Sequence, residues 1–247
     1  MTDRNKVALG VGAGDAIGAA FARRFAKGGY TVAVARRDAA KSAALVKEIE
    51  DAGGAAVAYS VDAREEASVE ALFERAEQEL GPVEVCLYNA GANFKSPLVE
   101  TGVDMFDKVW RLGCLGGFLT GREAARRMVP RGRGTILFTG ATASMRGGAG
   151  FAAFASAKAG LRAVAQSMAR ELGPEGVHVA HLVIDGGVDS PAIHARRRAA
   201  AGGQEVAFAP DSLMRLESIA EAYWTLAGQS RDAWTFELDI RPFVEPW

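Results

Sequence analysis

KVALGVGAGDAIGAAFARRFAKGGYTVAVARR, from Lys6 to Arg37, decides the fold. An apolar run from Lys6 to Val11 predicts a strand, and helical periodicity from Ala16 to Lys27 follows a glycine-rich turn. A second apolar run from Tyr30 to Ala35 returns as a strand. Gly12, Gly14 and Gly18 let the backbone approach an anion, with free N–H groups and the helix dipole behind them. The unit reads as a nucleotide cradle. The strict G-x-G-x-x-G fingerprint places glycine where Ile17 stands, so glycines that only tighten the turn fit the same residues.

The alternation continues along the chain. Further strands are predicted at Ala56–Ser60, Val83–Tyr88, Thr135–Thr139, His178–Ile184 and Trp234–Asp239. Further helices are predicted at Ala39–Asp51, Glu65–Leu80, Val103–Val129, Phe151–Leu172 and Leu216–Gln229. Short Val- and Ile-rich strands between helices imply a doubly wound parallel sheet of seven strands, an α/β fold with helices on both faces. No repeat or linker interrupts it, so residues 1–247 read as one dinucleotide-binding domain. Residues 190–210 fit this alternation least well and are either a flap over a ligand or a surface insertion; the position after a strand's carboxyl end favours the flap.

A chain of 247 residues that is 49% hydrophobic and 24% charged can bury one large core. A net charge of −1 gives no global pull toward nucleic acid or a membrane surface. Arg196, Arg197 and Arg198 form the tightest basic cluster and read as a solvated face. The sequence predicts no secretory signal and no membrane span, and so a cytoplasmic protein. Cys86 and Cys114 lie in apolar runs and read as buried thiols. His178, His181 and His194 lack zinc spacing and read as strand and loop residues, so no metal is expected.

Strand ends supply further candidate binding groups. Arg36 and Arg37 close the second strand, where a basic side chain accommodates a 2′-phosphate and an acidic one grips a ribose hydroxyl. This favours NADP(H) over NAD(H), although Asp15 inside the turn works against it. Asp62 follows the third strand, and Asn89, Ala90 and Gly91 close the fourth.

The segment FAAFASAKAG, Phe151 to Gly160, completes a set with the Gly12/Gly18 turn, Asp62 and Asn89-Ala90-Gly91. Through Lys158-Ala159-Gly160 the set resembles the short-chain dehydrogenase/reductase family. The likeness runs from about Lys6 to Ser190 and weakly on to the last strand. It implies a Rossmann-type domain and a nicotinamide cofactor along the carboxyl edge of the sheet, with Asp62 beside the adenine, Asn89 to Gly91 beneath the cofactor and Lys158 on the nicotinamide ribose. It also implies a small-molecule substrate and a homodimer or homotetramer. Asp185, Gly186 and Ser190 occupy the family's proline-glycine and threonine pattern. Val11 and Ala16 replace a threonine and a glycine of the first turn. Ala141 stands for the catalytic serine, Phe154 for the tyrosine acid/base and Gly113 for the asparagine that holds a relay water, which leaves Lys158 of the four.

Phenylalanine has no proton to give, and a positioned general acid contributes roughly 10²–10⁴-fold. Thr142, beside the vacant serine position, and Lys158, if desolvated, are the candidates to replace it. Ser156 points about 200° from residue 154 on a helix and faces elsewhere. Two functions stay open: an NADP(H)-dependent oxidoreductase with a non-standard proton donor, or a nucleotide-binding sensor or scaffold without turnover. Met145, Gly147, Gly148 and Phe151 read as a cleft wall or as ordinary packing.

Overall fold

In the computed structural model, which describes residues 6–204 and 207–246, strand β1 (Val7–Val11) is buried at every position because it is paired on both sides. It runs parallel to β2 (Thr31–Arg36) and to β4 (Val83–Tyr88), with Val11 opposite Ala35 and Tyr88. Adding β3 (Ala55–Ser60), β5 (Gly134–Thr139), β6 (Val177–Ile184) and β7 (Glu237–Ile240) gives seven parallel strands in the order β3-β2-β1-β4-β5-β6-β7. The order reverses between β1 and β4. A doubly wound sheet binds its ligand at such a switch point, outside the carboxyl ends of the strands.

Each face of the sheet carries its own apolar layer. On one side α1 (Ile17–Lys27) contributes Phe21 and Phe25, α2 (Ala43–Asp51) contributes Ile49, and α9 (Leu216–Ala227) contributes Ile219, Tyr223 and Leu226. On the other, α3 (Glu66–Leu80), α5 (Gly116–Met128) and α7 (Ala152–Leu172) bury Phe73, Met128 and Leu161 among others. Val, Ile and Leu on both strand faces are what such two-sided burial requires.

Four local expectations are corrected. The helix predicted over residues 103–129 is α4 (Val103–Trp110), a π-helical turn (Arg111–Leu115) and then α5. The turn is set by packing: a Cβ on Gly113 would lie 2.7 Å from the Ala157 Cβ, and the Tyr88 hydroxyl donates to the Leu112 carbonyl. The last strand starts at Glu237, because Trp234 stacks on His178 and Thr235 is held by the Gln229 amide. After β5, Thr142–Met145 form a short helix, α6. Within residues 190–210, Pro191–Ala200 form α8, so His194 is helical; residues 205 and 206 of that flap lie outside the described residues, as do Met1–Asn5 and Trp247. No helix among the described residues is long and apolar enough to cross a membrane.

Candidate functional site

Two hollows run along the carboxyl edge and meet at Gly14, Asn89 and Gly91. One, of about 500 Å³, is lined by Gly12, Arg36, Arg37, Asp62 and Ala90. The other, of about 600 Å³, is lined by Ile17, Gly18, Thr142, Lys158, Gly186 and Ser190. The residues singled out from the sequence for cofactor binding and for catalysis therefore share one groove.

The glycine turn closes against the end of β4. Gly12 has φ +77°, and a Cβ there would lie 2.4 Å from the Ala90 nitrogen. A Cβ on Gly14 would instead project into open space. The N-terminus of α1 has no side-chain cap and no acidic residue in its first turn. Its amides and dipole thus face the groove, as anion binding requires.

Behind the turn lies a chain of hydrogen bonds that fixes proton directions. Asn89 Nδ2 donates to the Gly12 carbonyl at 3.0 Å, and Asn89 Oδ1 accepts from Thr139 Oγ1 at 3.0 Å. With its proton given to Asn89, Thr139 must accept from the Tyr223 hydroxyl, 2.7 Å away. The Thr139 carbonyl then accepts from Lys158 Nζ at 2.7 Å. Lys158 is 4% exposed, and burial without a paired carboxylate lowers its pKa from 10.5 to about 8.

Around Lys158 the surface is apolar where the family places hydroxyls. Phe154 and Ala141 line the hollow, and Phe154 packs with Val109, Ala153 and Ala157. At Gly113, where the resemblance implies a water-holding asparagine, Ala157 occupies the side-chain space. Thr142 is in the cleft, yet its hydroxyl donates to Asp185 Oδ1 at 2.6 Å. Asp185 is fully buried and also receives Arg146 at 3.2 Å and Arg241 at 3.0 Å. Burial raises the pKa of its carboxyl, and the bonds from Thr142 and Arg146 with the two arginine charges outweigh that and hold it below the ordinary range. Ser156 donates to the Ala153 carbonyl at 2.9 Å, a bond within its own helix. Gly148 and Phe151 line the cleft, whereas Met145 and Gly147 stand outside it.

At the other end, Arg36 donates to Asp15 at 2.6 Å, which offsets the acidic charge that worked against a 2′-phosphate. Asp62 is gripped by Arg64 through bonds of 2.9 and 2.5 Å; this fork, with the Arg37 charge nearby, draws its carboxyl down to about 2 despite burial. Lys41 joins Arg36 and Arg37 on the wall. The glycine cradle, the uncapped helix and the basic end fit a phosphorylated dinucleotide.

Sequence reading missed Asn93, Arg146, Ile193 and Arg196 on the cleft wall. Arg196 is exposed, as the solvated-face reading of its triplet expects, and also lines the cleft. A spacing of three residues from Ser190 to Ile193 to Arg196 was the available signal, since it marks one face of a helix.

Known proteins share this arrangement. The family model described as short chain dehydrogenase matches residues 6–202. A short-chain dehydrogenase from Rhodopseudomonas palustris has a solved structure that is 49% identical, covers 97% of this chain and 100% of its own, and superposes with a TM-score of 0.83. A metagenomic short-chain oxidoreductase solved in complex with NADP is 25% identical over 97% of both chains, with a TM-score of 0.81. The short-chain dehydrogenase/reductase eriH of Hericium erinaceus is 37% identical over 176 residues, 69% of this chain and 70% of its own. With the parallel seven-stranded sheet and the glycine turn leading into Asn89 and Lys158, these matches establish that the chain belongs to the short-chain dehydrogenase/reductase family.

Proposed function

We propose that the protein is an NADP(H)-dependent oxidoreductase in which Lys158, not a tyrosine, exchanges the proton with a small-molecule substrate. The observation that carries this reading is the contrast between the two candidate donors. The Thr142 proton is committed to Asp185, while Lys158 lines the cleft with one bond to Thr139 and an acidity raised by burial. An acid whose pKa lies near the working pH is the effective one.

A bound reduced nicotinamide supplies a hydride to an electrophilic carbon. The atom bonded to that carbon takes a proton from Lys158 Nζ, leaving a neutral amine that this buried site tolerates better than water does. Lys158 regains its proton from water through the cleft mouth. Phe151, Phe154 and Ile184 present an apolar wall that keeps bulk water from the reacting atoms. With no hydroxyl at Ala141 or Phe154 to polarise a carbonyl, the site suits substrates that need little such help: an activated alkene, whose second carbon takes the Lys158 proton, or an iminium, which the hydride alone converts to a neutral amine, above a plain ketone. Arg36, Arg37 and Lys41 favour NADP(H) over NAD(H), and the solved relative holding NADP supports that choice. Residues 190–210 serve as a flap within a single domain, since Ser190, Ile193 and Arg196 line the cleft. Exposed Leu98, Val99, Val103, Phe106 and Trp110 are apolar surface suited to burial against a second copy, which supports a homodimer or homotetramer.

The test is calorimetric titration with NADPH and NADH, followed by loss of reduced-nicotinamide absorbance against carbonyls, imines and activated alkenes. NADPH is expected to bind at least tenfold tighter than NADH, with the margin lost in Arg37→Ala. Binding without turnover on any substrate would instead favour a sensor or scaffold. A monomer by gel filtration would overturn the assembly.

A further inference from the structure

The three consecutive arginines of α8 have different surroundings. Arg197 lies over the Phe208 ring at 4.1 Å. Arg196 is exposed and lines the rim of the cleft, one helical turn beyond Ile193 and in the same hollow as Phe151 and Phe154. Among the described residues its guanidinium meets the Ala192 carbonyl through Nε at 3.4 Å and no carboxylate. The other charged groups on this wall are Asp15, Arg146 and Lys158. Asp15 belongs to the glycine-turn end, where Arg36 holds it. Arg146 is offset by buried Asp185. Arg196 therefore adds an uncompensated planar cation to a pocket that is otherwise apolar at its substrate end.

We infer that the substrate carries a carboxylate, and that Arg196 holds it, with Arg146, its charge already offset by Asp185, adding only N–H donors in the same hollow. This rests on the oxidoreductase reading above. A guanidinium fork matches the two oxygens of a carboxylate in one plane. The cofactor's pyrophosphate is the competing source of an anion. It has its own receptors in the amides of the glycine turn and the start of α1, whereas Arg146 follows the vacant serine position, at the reacting end. The substrate class is thus a small apolar molecule with one carboxylate, its reacting carbon between Lys158 and the nicotinamide site.

Calorimetry on the full chain saturated with NADP⁺ tests this with hexanoate, benzoate and 3-phenylpropionate against their neutral amides. At least one acid is expected to bind tenfold or more tighter than its amide. Arg196→Gln should abolish that preference, Arg196→Lys should keep part of it, and the NADP⁺ affinity should stay within twofold. Equal binding of acid and amide, or no binding of any acid, overturns the inference. So does an Arg196→Gln protein that loses NADP⁺ affinity but keeps the acid preference, since Arg196 then serves the pyrophosphate. If the wild-type protein binds no NADP⁺ at all, the cofactor reading fails separately. The same acid and amide titrations on the protein alone then decide whether the arginine site exists.

Discussion

Replacing Lys158 with methionine isolates the energetic consequence of burying an ammonium beneath the cleft. In the folded protein its pKa falls from 10.5 to about 8, with burial as the cause. At 1.36 kcal/mol per unit this disfavours the charged folded form by roughly 3 kcal/mol. The sign follows from proton counting. Between about pH 8 and 10.5 the unfolded chain binds more protons at this site than the folded one, so stability rises with pH through that window. The penalty is complete below about pH 8 and absent above the unfolded value. Lys158→Met also removes the bond to the Thr139 carbonyl and changes packing, but those effects do not depend on pH. The informative quantity is therefore the difference in Tm between variant and wild type, followed from pH 7 to pH 10. It should move in favour of the wild type by on the order of 2 kcal/mol, or roughly 4–8 °C at 2–4 °C per kcal/mol for a chain of this size. Differential scanning calorimetry without cofactor measures it. A difference that stays flat across that range would show that Lys158 is not desolvated, and the case for it as a proton donor near neutral pH would fall with it.

Four further outcomes are expected. Gly12→Ala, whose Cβ would meet the Ala90 nitrogen at 2.4 Å with φ +77°, should lose about 2–4 kcal/mol of stability. Gly14→Ala, with open space at its Cβ, should stay within about 0.5 kcal/mol yet bind NADPH at least tenfold more weakly, which urea melts and calorimetry together resolve. Phe154→Tyr should keep its stability within about 1 kcal/mol and change kcat less than about tenfold, because no hydroxyl at Ala141 and no relay at Gly113 accompany it; a gain of a hundredfold or more would displace Lys158 as the donor. Asp185→Asn leaves the two arginines facing a neutral amide and should cost about 3–5 kcal/mol at pH 7. The folded pKa of Asp185 is depressed, so its contribution is present above the unfolded value of 3.8 and is lost as pH falls through the folded one; urea melts from pH 7 to pH 3 should show the variant's deficit shrinking.

The residues that announce the fold form a short pattern along the chain, which is why they could be read even where a distant neighbour enforces it. Gly12 and Gly18 must be glycine because Ala90 and Ala13 occupy the space of their side chains, and the two-sided burial of β1 forces an unbroken apolar run. The break at Arg111–Leu115 was not legible because LGCLGG keeps helical periodicity, and the turn arises from Gly113 meeting Ala157, 44 positions along the chain. Thr142 is a candidate donor on position alone, and the use of its proton depends on Asp185, which a different strand delivers. Arg196 is exposed, as a triplet of arginines on a short helix suggests, but its place on the cleft wall emerges only once α8 is set beside the strand ends.

The substitutions around Lys158 are connected physically. Residues 154 and 158 stand four apart on α7, on one face of the helix and beside one hollow. A tyrosine there would offer a hydroxyl to share the ammonium's field; phenylalanine removes that polar group and deepens the desolvation that draws the lysine toward neutrality. Ala141 acts in the same direction by placing a methyl group where a hydroxyl would stand. The change that deletes one proton donor therefore makes the remaining one more acidic, and an ammonium with a pKa of about 8 is a far better acid than one at the ordinary 10.5. A chain kept only for its fold would gain from an uncharged side chain at position 158, since the buried charge opposes folding. Its retention, held by the Thr139 carbonyl and lying against Gly91, fits the proton-donor role proposed for it better than a purely structural one.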